Sequence, residues 1–187
     1  MNTEQLYNIL LSQNLTARHL GSVCASDQLP SKTSQKSLEE DTFYIVNLDP
    51  SDEPGSHWVA CFIKKNPLEQ NVYFDSYGYP PIIPEIRDFL GTAFEYNTRC
   101  LQHPLSTACG QWCLLFVWQQ LLGHPLNCLI KRFQRHGDNP LLNDREVTSF
   151  MNEIFNTKLK VLDAKFAENQ IAKSLSENRK TFETYAV

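Results

Sequence analysis

The chain has 187 residues and a mass of 21.5 kDa, which suits one domain with an appended terminal segment. Its hydrophobic content of 42% is enough to bury a core, and a formal net charge of −4 excludes a chain-wide electrostatic footprint for nucleic acid. The longest apolar run, Trp112 to Trp118, is too short to cross a bilayer, and the amphipathic start "MNTEQLYNILLSQ" has neither the charged opening nor the cleavage site of a secretory signal.

In chain order, a helix is predicted over 3–14, capped by Thr3, with Leu6, Ile9 and Leu10 facing inward. The polar stretch 21–41 reads as a long surface connection. Three runs rich in aromatic and β-branched residues read as strands: "TFYIVNL" (42–48), "HWVACFI" (57–63) and "NVYFDSYG" (71–78). The second is apolar on both faces and therefore central, and Asn66-Pro67 marks the turn to the third. Residues 80–94 give a proline-opened helix with Ile86, Phe89 and Leu90 inward. Residues 108–122 form a helix apolar almost all round, with Gly123 at its C-terminal cap and Pro125 barring continuation. Asn143 and Glu146 make a capping box ahead of Val147, Phe150, Met151, Ile154 and Phe155 at helical spacing. A weaker helix is expected over 163–178. The sum is an α+β domain over 1–160, a small mostly antiparallel sheet packed against a buried central helix, with 161–187 as a helical extension or tail.

Six cysteines are scattered through the chain, most of them inside apolar runs, which points to free thiols in a reducing compartment. Cys109 and Cys113 stand four apart on one helix face, but no second ligand pair has a matching spacing, so no metal site is expected. If 57–63 and 71–75 form an antiparallel hairpin turning at residue 66, His57 falls opposite Asp75. Their Cβ atoms would then be ~4.5–5.5 Å apart on one face. A one-residue slip would part them. Singly, His57 could be a strand-end histidine and Asp75 a turn cap; at matched positions they read as an oriented base. Cys109 opens the buried helix, where the partial positive charge of a helix N-terminus favours thiolate and the first-turn N–H groups can face an oxyanion. Its small neighbours Ala108 and Gly110 leave room for an incoming carbonyl. A histidine base, an orienting carboxylate and a low-pKa cysteine make the constellation for nucleophilic acyl transfer. Cys113, one turn deeper among bulky side chains, reads as core, and His103, in an extended loop before Pro104, ranks below His57 as a base.

With "HW" at 57–58, Asp75, and Gln102 and Cys109 in "QHPLSTACGQWC", the sequence resembles the adenovirus-type cysteine proteases (adenain), whose clan includes the proteases that remove SUMO-like modifiers. The order histidine, acid, glutamine, cysteine is kept, with spacings of 18, 27 and 7, and the likeness runs over roughly residues 3–122. The resemblance implies an adenain-like fold, with His57 as general base, Asp75 as its acid and Cys109 as nucleophile. It implies an oxyanion hole formed by the Gln102 amide and the backbone N–H groups of Cys109 and Trp58. Tyr77, Tyr79, Ser106 and Thr107 are weaker candidates for lining the substrate cleft.

The activity so implied is an endopeptidase that processes viral precursor proteins after small residues such as glycine, inside a virion or host nucleus. The implied partners are protein substrates and a short activating peptide, with no membrane and a monomeric enzyme. The family's DNA activation is at odds with this chain's acidic balance, although Lys131, Arg132, Arg135 and His136 cluster locally. Cys100 is closer to the nucleophile than the family's tethering cysteine and reads instead as a buried or half-buried thiol. The alternative is a deconjugating protease for a ubiquitin-like modifier.

Overall fold

The computed structural model describes residues 1–30, 39–134 and 139–157. The expected 163–178 helix, the 161–187 tail, and Arg135 and His136 of the basic cluster lie outside these residues. The architecture is α+β. Among the described residues are six helices and one five-stranded mixed sheet.

The first helix, α1 (Thr3–Leu11), begins one residue earlier than Thr3 as cap would have it. Asn2 accepts from the Gln5 N–H at 2.9 Å, and the Gln5 side chain accepts from the Asn2 N–H at 3.0 Å, a complete capping box. Leu6 and Leu10 are buried. The expected 3–14 helix is broken, because α2 (Asn14–His19) starts as a separate turn. The 21–41 stretch is not all surface connection: β1 (Leu20–Ala25) lies along the sheet edge, parallel to β2 (Thr42–Asn47). Only Val23 and Cys24 of β1 are buried, so its strand character comes from pairing rather than from a sequence pattern of its own.

Strand β3 (Trp58–Ile63) is central and buried throughout, pairing antiparallel with β2 on one side and β4 (Asn71–Phe74) on the other. The third predicted strand ends early, because Asp75 to Gly78 fold into a turn closed by the Gly78 N–H to the Asp75 carbonyl at 2.8 Å. Gly78 has φ +78°, and a Cβ there would stand 2.5 Å from the Arg99 carbonyl carbon, so both conformation and space require glycine. The helix expected over 80–94 contracts to α3 (Pro84–Leu90), followed by β5 (Phe94–Tyr96), which pairs parallel with β4. Both outer pairings are parallel, so the mostly antiparallel sheet expected from the hairpins is mixed.

The sheet separates two cores. On one face Phe43, Ile45, Ala60, Phe62, Val72 and Phe74 pack against α4 (Cys109–Leu121), with the Phe74 and Phe116 rings stacked at 4.9 Å. On the other, Tyr44, Val59, Cys61 and Tyr73 are covered by Ile86, Phe89 and Leu90 of α3. Gly123, at φ +78°, follows α4. Two further helices, α5 (Leu126–Gln134) and α6 (Pro140–Phe155), complete the α4 side. The capping box placed at Asn143 and Glu146 is not there: Asn139 caps α6 and Pro140 opens it. Asn143 is buried within it, and Glu146 pairs with Arg132 at 2.8 Å.

Candidate active site

His57 is the residue before β3 and Asp75 the residue after β4, so the antiparallel pair delivers both at the same end. The ladder joins Ala60 to Phe74, Cys61 to Tyr73 and Phe62 to Val72. That is two positions away from the register that would put His57 straight across from Asp75. A shift of two preserves the face where a shift of one would lose it, so the side chains still meet, as diagonal neighbours. His57 Nε2 lies 2.8 Å from Asp75 Oδ1. An ionised carboxylate only accepts, so Nε2 carries the proton and Nδ1 is left for a second partner.

That partner is Cys109, the first residue of α4, whose side chain is hydrogen-bonded to His57. Burial pushes the thiol up, but the bond to His57, the Trp58 backbone N–H on the sulfur, and the charges of His57 and the N-terminus together hold it below its ordinary range. His57 mirrors this. Burial disfavours its charged form, yet the bonds and charges of Asp75 and Cys109 push it up to about 9. The two groups therefore each favour the charged form of the other, thiolate beside imidazolium. Cys61 and Cys113 show the opposite outcome, their thiols driven up by complete burial. Cys113 is core, as expected, whereas Cys100 is exposed rather than buried, its thiol donating to the Gln102 carbonyl at 3.3 Å.

Asp75 is held by more than its turn. Asn97, fully buried, accepts from the Asp75 N–H at 3.0 Å and donates to its carbonyl at 2.5 Å. The Tyr77 N–H donates to Asp75 Oδ1 at 2.8 Å, and the Tyr77 ring stacks on His57 with centroids 4.7 Å apart. Gln102 is also fully buried. Its Oε1 accepts from Ser76 Oγ at 2.6 Å, while its Nε2 donates to the Ser106 carbonyl at 2.8 Å and to Tyr77 Oη at 3.2 Å. The structure thus brings His57, Trp58, Asp75, Tyr77, Gln102, Ser106 and Cys109 together. Thr107 and Tyr79 are exposed. His103 stands apart from the triad, with Nδ1 accepting from the Leu105 N–H at 3.2 Å.

Gly110 corrects one expectation. A Cβ there would meet Met1 at 3.3 Å and Leu6 at 3.5 Å, so its smallness admits α1 rather than a substrate. Beside the site, a cavity of about 260 Å³ is lined by Met1, Asn47, Asp49, Glu53 and Trp58 among others. Two supporting residues escape sequence reasoning. Asn97 and Ser76 are single polar residues whose partners lie 22 and 26 positions away, and no local pattern marks them. Among the described residues no cluster of three metal-ligating side chains occurs, and no helix is long and apolar enough to cross a membrane. No protein-family model and no curated protein matches the chain.

Proposed function

We propose that the chain is a cysteine endopeptidase with an adenain-like fold. The observation that carries this reading is the 2.8 Å bond from His57 Nε2 to Asp75 Oδ1, with the remaining ring nitrogen left for a thiol at the N-terminus of a helix. In the proposed cycle the Cys109 thiolate attacks the scissile carbonyl, and the C–N bond breaks as His57 passes its proton to the leaving amine. Water then attacks the thioester with His57 taking its proton, which releases the acid and restores the thiol pair. The oxyanion is proposed to take the place of the Tyr77 hydroxyl on Gln102 Nε2, alongside the Cys109 backbone N–H. The Trp58 N–H, which faces the sulfur in the resting site, joins as the sulfur becomes acylated.

The nucleophile is only 8% exposed, between the buried Trp58 and the half-buried Tyr77. Such access favours cleavage after a residue with little side chain, glycine above all, in an extended segment. Viral precursor polypeptides in a reducing compartment are the proposed substrates, with a peptide as the admissible activator. The net charge of −4 gives no support to a DNA cofactor.

The test compares a peptide aldehyde ending in Gly-Gly with a ubiquitin-like modifier carrying the same warhead, each with Cys109→Ala as control. Capture of the peptide in preference, lost in the variant, supports the reading. Preferential capture of the modifier moves the substrate to the deconjugating class, and no capture by a chain whose Cys109 still alkylates refutes the peptidase.

A further inference from the structure

Behind the Gln102 loop lies a carboxylate that the proposed chemistry does not use. Asp144, on the first turns of α6, is fully buried. Its Oδ1 accepts from Trp112 Nε1 at 2.8 Å and its Oδ2 from the His103 N–H at 3.0 Å, and the Ser106 hydroxyl bonds it as well. The neighbouring Asn143 donates from Nδ2 to the Leu101 carbonyl at 3.1 Å. Trp112 is one turn along α4 from Cys109, whereas Leu101, His103 and Ser106 bracket Gln102. Ser106 also supplies the carbonyl that accepts from Gln102 Nε2 at 2.8 Å. One side chain thus ties the nucleophile's helix to the loop of the glutamine.

We propose that Asp144 is a positioning residue that sets the Gln102 loop against the Cys109 helix, and so fixes the oxyanion donor relative to the nucleophile. The inference rests on the peptidase reading and deepens it. The chemistry of the group supports it. Three donors converge on two oxygens, which only a carboxylate can satisfy from both sides, since an amide would turn N–H against one of them. Burial raises the Asp144 carboxyl above its ordinary range in spite of the bonds from Trp112, Ser106 and His103. Burial thus works against the charged form while the three donors favour it, and it is the converging donors that carry the inference.

The test uses the full chain and four proteins: wild type, Asp144→Asn, Gln102→Ala and the double variant. Capture of the Gly-Gly aldehyde requires stabilisation of the hemithioacetal oxyanion, whereas alkylation of Cys109 by iodoacetamide does not. Asp144→Asn is expected to slow aldehyde capture by about thirtyfold, as loss of oxyanion alignment does, while alkylation stays within about twofold. On the Gln102→Ala background the same change is expected to cost less than about threefold, since it acts through the missing amide. Wild-type capture by Asp144→Asn overturns the proposal. So do equal losses in both reactions, or a full loss on top of Gln102→Ala. Should Asp144→Asn not fold, Trp112→Phe removes one donor from the same carboxylate and is expected to give the same selective pattern in weaker form. A wild type that alkylates at Cys109 but captures no aldehyde refutes the peptidase reading instead. Amide exchange then decides the clamp: faster exchange confined to 101–106 in the variant upholds it, and unchanged exchange overturns it.

Discussion

Replacing Asp75 by asparagine tests the electrostatic core of the site with the least change of shape. His57 sits at about 9 against an ordinary 6.5, a difference worth about 3 kcal/mol in favour of the imidazolium. Burial opposes that charge. Among the groups that favour it, Asp75 and Cys109 both bond to the ring, the bond from Asp75 being the stronger influence. If Asp75 supplies half or more of the difference, Asp75→Asn removes about 2 kcal/mol of support for the imidazolium and weakens its stabilisation of the thiolate by up to about thirtyfold. The lost hold on the ring tautomer adds to this, so kcat is expected to fall by about 10²–10³. The fold should survive. Asn97 grips the main chain of residue 75 on both sides, and an amide oxygen can still accept from the Tyr77 N–H. A loss of about 1 kcal/mol, or about 2–4 °C in Tm, is expected. The assay is iodoacetamide alkylation of Cys109 across pH, read by intact mass. The wild type should react from below the ordinary thiol range, and Asp75→Asn should shift the onset upward and regain its rate in alkali. Superimposable profiles would refute the coupling. A variant that unfolds would show that Asp75 serves the turn.

Selectivity among the thiols follows from the same electrostatics. At neutral pH, limiting iodoacetamide should label Cys109 well ahead of Cys61 and Cys113, whose thiols are held up by burial, and His57→Ala should shrink that lead. Gly78→Ala combines φ +78° with a Cβ 2.5 Å from the Arg99 backbone and should cost at least about 2 kcal/mol, seen as a lower urea midpoint. Because that turn carries both Tyr77 and Asp75, Cys109 alkylation should slow as well; an unchanged rate would uncouple turn and site. Phe74→Ala empties a fully buried position stacked on Phe116 and should cost about 3–5 kcal/mol, read as a drop in Tm of roughly 6–20 °C.

What can be read from the sequence divides by the range of the interactions. Strands β2, β3 and β4 are apolar runs of β-branched and aromatic residues, and each is visible. The edge strands β1 and β5 are not. Each is only half covered, and parallel partners leave no hairpin signal in between. The meeting of His57 with Asp75 survives an error of two positions in register because side-chain facing depends only on parity. The Asp75 turn itself reads as strand, since Tyr77 looks like any other strand aromatic. Gln102 is accessible through resemblance alone, for a buried loop glutamine has no periodicity. Asp144 lies 41 residues from His103 and 32 from Trp112, and in sequence it passes for the polar start of a helix.

The division of the site between two stretches of chain has a consequence for biosynthesis. The base and acid arrive on one hairpin, but the thiol comes more than thirty residues later on a helix that packs against that hairpin and against later helices. Nothing in residues 106–123 taken alone lowers the thiol beyond what a helix end provides. The histidine and the Trp58 amide, which offset the cost of burial, both come from elsewhere. A chain still emerging, or one whose core has opened, therefore carries an ordinary sluggish cysteine. Reactivity is a property of the packed core, absent before His57 and Trp58 meet Cys109 and lost when they part.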